Sequence, residues 1–308
     1  MTTALGIGVR VVLIAAIGVL LWFFLREIDW EELGDALYHA RIWPLIPAVA
    51  IAIAMLWCHA FSLGHMLAPR HVVPTPRLFR YTIVAYAASI ITPLRAGELV
   101  RVWLLKRRDQ VPVADSAAAV VAQKFIDGVT MLVFVAPVTW LLPDLPAWVG
   151  RVILIGAAIA VAVFVALYLA LGYLANRVQT SWLARFIAGM HVLRSPRRLV
   201  LVVATLLAAW LADLVMVWCV LHAVGIELPL AAGLLILFTL NLTIMVPTPA
   251  NLGSLEVGVF AATRLLGVPD AQALAFALLY HACLVVPILV AGLALEMRLL
   301  LGRTPLTS

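Results

Sequence analysis

Charge is what this sequence has least of. Only 12% of its 308 residues are charged, against 65% apolar, where a soluble domain carries about 25% charged residues. That scarcity excludes a water-facing surface of ordinary kind and predicts a polytopic membrane protein whose element lengths are set by the bilayer. Cysteine is scarce too. Cys58, Cys219 and Cys283 lie in apolar runs and are odd in number, which argues against a disulfide framework and leaves buried small hydrophobes. His59, His65, His222 and His281 are scattered without a metal-ligand pattern, so no metal is expected. There is no Gly-rich phosphate loop, no Gly-x-Ser-x-Gly elbow, no Asp-x-Asp motif and no large polar lobe to hold a nucleotide donor. Neither an enzyme nor a cofactor is expected. The net charge of +6 belongs mostly in cytoplasmic loops and, with no long basic-aromatic stretch, does not indicate nucleic acid.

Long apolar runs are abundant. Six of them, at 5–25, 43–67, 112–142, 148–173, 199–224 and 271–297, approach or exceed the roughly 20 residues a spanning helix needs. The first is followed by Arg26-Glu27-Ile28-Asp29 instead of a small-residue cleavage site, so it reads as an uncleaved span. Two further runs, 78–106 and 229–267, are interrupted. Thr92-Pro93-Leu94-Arg95-Ala96-Gly97 breaks the first, and Thr248-Pro249-Ala250-Asn251-Leu252-Gly253 breaks the second 156 residues later. Proline removes a backbone donor and glycine adds freedom, so Pro93, Gly97 and Pro249 divide each run into two short pieces. Paired breaks at matching places in two halves point to the binding site of a duplicated transporter.

Loop charge suggests the threading. Segment 68–80 carries Arg70, Arg77 and Arg80, and segment 174–198 carries Arg177, Arg185, Arg194, Arg197 and Arg198, with no acid in either. Both are expected on the cytoplasmic side. Segment 174–198 also holds Trp182, Leu183, Phe186 and Ile187, a pattern for an amphipathic interfacial helix. The first broken run has Arg77 and Arg80 before it and Lys106, Arg107 and Arg108 after it. Both its ends therefore belong inside, as in a re-entrant hairpin, and alternation makes the second run enter from outside. The expected fold is all-α, with six full transmembrane helices, two re-entrant hairpins and both termini cytoplasmic. The first repeat covers 1–147 with hairpin 78–106, and the second covers 148–308 with hairpin 229–267. Three spans per half make the repeats inverted. Eight full spans is the alternative. Trp22, Trp43, Trp140 and Trp148 sit near span ends as interface anchors.

Polar residues inside such runs are costly and therefore informative. Arg95, Glu98 and Arg101 are three apart and form one helical stripe. Two guanidinium groups against one carboxylate leave a positive surplus with the fork geometry that suits phosphate oxygens. A lipid-headgroup site and a structural clasp both fit this stripe. Lys124 and Asp127 are one turn apart and can cancel each other, or Asp127 can accept from Arg95 or Arg101 and leave Lys124 for a ligand. Asp213 lies alone near the middle of its span, where proton coupling or a partner on another helix would account for it. In the second run Asn251 stands where Arg95 stands in the first. Asn251, Gly253 and Glu256 suit an outward-side cavity or a structural cap.

Pro93-Leu94-Arg95-Ala96-Gly97-Glu98 with Arg101, then Lys124-Phe125-Ile126-Asp127, then Pro249-x-x-x-Gly253-x-x-Glu256 resemble the flippase-like membrane domain of lysylphosphatidylglycerol synthases over nearly the whole chain. The resemblance also takes in stand-alone relatives linked to hopanoid, archaeal glycosylation and other lipid pathways. Lys124 occupies a position that family usually fills with arginine. The family's best-understood members add a C-terminal aminoacyltransferase domain. The sequence ends at Ser308, so the resemblance implies lipid handling without aminoacylation.

The expectation is a lipid translocase in a prokaryotic plasma (inner) membrane, acting on an anionic or polar-headed lipid. Arg95 and Arg101 would hold the headgroup, with Glu98 and Asp127 orienting them. A membrane enzyme or enzyme subunit in lipid-linked glycan or aminoacyl-lipid synthesis, a small-anion transporter, and a non-transporting partner of a lipid-synthesis enzyme are the alternatives.

Overall fold

The computed structural model describes residues 29–68, 70–91, 97–174, 190, 195–246, 248 and 251–301. The expected span 5–25, most of segment 174–198 and the break residues Pro93, Arg95 and Pro249 lie outside the described residues. Within them every regular element is a helix. In order these are α1 Trp30–Tyr38, α2 Leu45–Leu67, α3 Thr75–Ile91, α4 Gly97–Asp109, α5 Val113–Val135, α6 Val138–Leu141, α7 Ala147–Leu174, α8 Pro196–Val224, α9 Leu230–Ile244, α10 Ser254–Leu265 and α11 Asp270–Leu301.

Local chemistry sets the ends. Asp29 caps α1, its Oδ1 accepting from the N–H groups of Glu31 and Glu32. Pro196 opens α8, where a missing donor is harmless, and Gly225 closes it in the left-handed region at φ 79°. Five stretches are long and apolar enough to cross a membrane: Leu45–Leu67, Val113–Leu141, Ala147–Ala170, Pro196–Val224 and Asp270–Leu295. They coincide with five of the six expected spans, and the protein is an integral membrane protein.

The two interrupted runs form paired short helices. α3 and α4 have 17 and 13 residues, and α9 and α10 have 15 and 12, all below the length of a spanning helix. The first pair is longer than the expected 78–106. α3 starts at Thr75, with Pro76 in the first turn where it is tolerated, and α4 runs on to Asp109. The far ends of this pair meet. Arg77 Nη1 donates to Asp109 Oδ1 at 2.6 Å, and the Tyr81 hydroxyl donates to Asp109 Oδ2 at 2.7 Å.

Packing follows one pattern in both halves. α2 and α8 lie along each other, and each also touches α5 and α11. The α3/α4 pair rests on α2, α5 and α11; the α9/α10 pair rests on α8, α11 and α5. α4 ends at Asp109 and α10 ends at Leu265, the same 156 residues that separate the breaks. Among the described residues α7 leans mainly on α5 and α6, and most of its surface is open, as for a lipid-facing helix. Trp43, Trp140 and Trp148 are exposed, in keeping with interface anchoring.

Candidate functional site

The first break puts α4 hard against α3. A Cβ added at Gly97 would collide with the Ala85 carbonyl and the Ser89 hydroxyl, so a side chain there would part the two helices. From this start α4 turns Glu98 and Arg101, one turn apart, toward α5. Arg101 is only 1% exposed. Its Nη1 lies 3.3 Å from Glu98 Oε2 and 3.5 Å from Gln123 Oε1. The Gln123 amide is held from behind, because its Nε2 donates to the His59 carbonyl at 2.7 Å and to Ser62 Oγ at 3.1 Å.

The other edge of the guanidinium is unpaired among the described residues. Arg101 Nε and Nη2 are buried and have no hydrogen-bond partner among the described residues. These two nitrogens carry the parallel N–H bonds of the side-on fork, which match a phosphate or carboxylate bidentately. A buried orphan donor costs about 1–3 kcal/mol, more on a charged group. The Glu98 carboxylate is shared, with Oε1 3.3 Å from Lys124 Nζ. Two cations thus face one carboxylate. Tyr86 of α3 lies beneath both, 5.7 Å from Arg101 and 5.4 Å from Lys124 to the ring centre, a distance at which the ring face favours cations. Lys124 is 44% and Glu98 35% exposed, so the cluster runs from an open mouth to a closed end at Arg101.

Some expected pairings are different. Lys124 makes its ion pair with Glu98 on α4 and not with Asp127. Asp127 does not take Arg101 as its donor and accepts from Trp210 Nε1 of α8 at 3.0 Å. One helical turn can pair two residues, but a neighbouring helix supplied better-placed partners for each. Asp213 does have a partner on another helix, one of the two accounts expected for it: the Tyr280 hydroxyl of α11 donates to its Oδ1 at 2.6 Å. Arg95 and Pro93 lie outside the described residues.

The second break is built differently. Gly253 has φ 83° and Asn251 φ 59°, a backbone that glycine and asparagine adopt more readily than other residues. Glu256 is buried. Its Oε2 accepts from the Gly253 N–H at 2.6 Å, and its Oε1 lies 2.9 Å from His281 Nδ1 of α11. Ser254 Oγ donates to the Asn251 carbonyl and sits 3.0 Å from Thr248 Oγ1. Glu256 is therefore a cap for α10 and a tie to α11. Asn251, Gly253 and Glu256 come together around one turn, far from cationic in character.

His59, Ser62, Tyr86 and Trp210 were not legible as site residues, because each sits in an apolar run and gains its role only from another helix. Gln123 and His281 were visible as polar residues but without partners.

No curated protein matches the chain. Residues 7–292 match the family model described as the lysylphosphatidylglycerol synthase TM region. With that match covering most of its length, this integral membrane protein belongs to the lysylphosphatidylglycerol synthase transmembrane-region family, which ties it to lipid metabolism.

Proposed function

We propose that the protein translocates an anionic or polar-headed lipid between leaflets, without catalysing a covalent step. The observation that carries this reading is Arg101: a guanidinium 1% exposed, with Nε and Nη2 unpaired among the described residues. Structural arginines in an apolar setting have their donors filled. An unfilled fork behind a half-open lysine suits a headgroup phosphate that enters past Lys124 and seats against Arg101. Glu98 spaces the two cations, Gln123 fixes the guanidinium plane, and Asp127 orients the α5 side of the site through Trp210. Arg95 is proposed as a further headgroup contact from the break itself.

The same reading takes the two halves as inverted repeats, 1–147 and 148–308, with α3/α4 and α9/α10 as re-entrant hairpins opened from opposite faces. The matched packing, the 156-residue spacing and the meeting of Arg77 with Asp109 support it. Asn251, Gly253 and Glu256 then line the outward cavity, and rocking of one repeat against the other alternates access. The termini are placed in the cytoplasm of a prokaryotic cell, with the protein in its plasma membrane.

The test is translocation in proteoliposomes. Fluorescent phosphatidylglycerol and phosphatidylcholine are placed in one leaflet, and their loss to the other is followed by dithionite quenching. Wild type is expected to move at least the anionic lipid, and Arg101→Met and Lys124→Ala to slow it at least tenfold. Equal rates in folded variants and wild type would remove Arg101 from the headgroup site.

A further inference from the structure

We infer that Asp213 is a proton-binding site coupled to occupancy of the Arg101 site, through a series of polar pairs carried by α5, α8 and α11. This rests on the headgroup reading of Arg101. The series starts at Glu98, 3.3 Å from Lys124 of α5. Lys124 and Asp127 are one helical turn apart. Asp127 accepts from Trp210 of α8 at 3.0 Å. Trp210 and Asp213 are again one turn apart, and Asp213 accepts from Tyr280 of α11 at 2.6 Å. The next residue, His281, lies 2.9 Å from Glu256, which accepts from the Gly253 N–H at the second break.

Each contact alone is ordinary glue between helices. Their setting is not, since the same helices carry Ile126, Leu214, Met216, Val217 and Phe276 as buried apolar side chains. Polar side chains in such surroundings are retained for use. Asp213 is the member suited to exchange a proton. It is buried and, among the described residues, has no Lys or Arg within ion-pair distance; its donor is a neutral hydroxyl. A carboxylate held this way trades its charge for a proton when the nearby field changes.

The ionisable groups that act on Asp213 are Tyr280 from α11, through its hydrogen bond, and Asp127 from α5, through its charge. Of the other helices packed on α8, α9 has no titratable side chain. α2 carries Cys58, His59 and His65, of which His59 faces the Arg101 cluster. The coupling follows from charge. An anion seated on Arg101 and Lys124 cancels the positive surplus that offsets Asp127 and, through it, Asp213. One proton then passes from bulk water to the Asp213 carboxylate, and it returns to water when the anion leaves. A lipid anion would in this way cross with a proton.

Calorimetry of the full chain in nanodiscs tests this, with dihexanoyl phosphatidylglycerol as probe and buffers of different ionisation enthalpy to count protons. Wild type is expected to bind the probe with uptake of up to one proton. Asp213→Asn is expected to bind it with no proton exchange. Tyr280→Phe, which removes the donor from the charged form, is expected to keep the uptake but move its midpoint about one unit to higher pH. Binding by wild type without proton exchange, or unchanged uptake in Asp213→Asn, would overturn the coupling and leave the headgroup site standing. Absence of binding by wild type would overturn the headgroup reading, and the coupling with it.

Discussion

Replacing Arg101 by methionine separates two accounts of the same residue by the sign of a stability change. If Arg101 were a clasp that held the α3/α4 pair to α5, its removal would break a buried ion pair and cost about 3–5 kcal/mol. The geometry argues otherwise. Its contacts to Glu98 at 3.3 Å and Gln123 at 3.5 Å are long, and Glu98 keeps Lys124 when Arg101 is gone. Against these losses, about 1 kcal/mol each, stand two orphaned donors, Nε and Nη2. Each costs about 1–3 kcal/mol while unfilled. Methionine has a similar length and no donors. The lipid-free variant should therefore match or exceed wild type in thermal stability, as residues kept for binding often do when replaced. Added lipid should reverse the order. At a hundred times its dissociation constant a ligand stabilises the native state by about 2.7 kcal/mol, and only wild type should gain that from an anionic lipid. The assay is thermal unfolding of both detergent-purified proteins, with and without dihexanoyl phosphatidylglycerol. A variant that unfolds several degrees early without lipid, and gains as much from lipid as wild type, would refute the argument.

Other expectations concern the scaffold. Asp109→Ala frees both Arg77 and Tyr81; it should cost about 1–3 kcal/mol and raise hydrogen exchange in α4 above that in α10. Gly258→Val would drive a side chain into the Leu240 backbone and the Thr243 hydroxyl, so α9 and α10 should separate, with loss of monodisperse protein on size exclusion; Ser254→Ala, which removes only a hydroxyl, should remain folded. In a cysteine-free background, cysteines placed at exposed Val72 and Gln110 should react with an impermeant maleimide from one and the same side of the membrane. Labelling from opposite sides would favour full spans over a hairpin at the first break.

The helical class, the membrane setting and the five described spans were legible in the sequence because a bilayer imposes them locally. Twenty or so apolar residues make a spanning helix whatever lies beside them. The turn at Gly253 was legible for a similar reason, since the effect of glycine on the backbone needs no neighbour. The family followed from short motifs around the two breaks. Charge at Arg101, Glu98 and Lys124 marked the region of the site, since charge in an apolar run stands out by composition alone.

What belonged to tertiary structure was who pairs with whom. Lys124 had Asp127 one turn away and took Glu98 from another helix. Asp127 took Trp210, Asp213 took Tyr280, and Glu256 took both the backbone of its own turn and His281. The sequence could not assign these, because helical spacing fixes which residues share a face but says nothing of which face another helix covers. It could not show the unpaired edge of Arg101 either. An unfilled donor is a property of everything that packs around it, and the packing of α3, α4 and α5 buries that edge without a hydrogen-bond partner among the described residues.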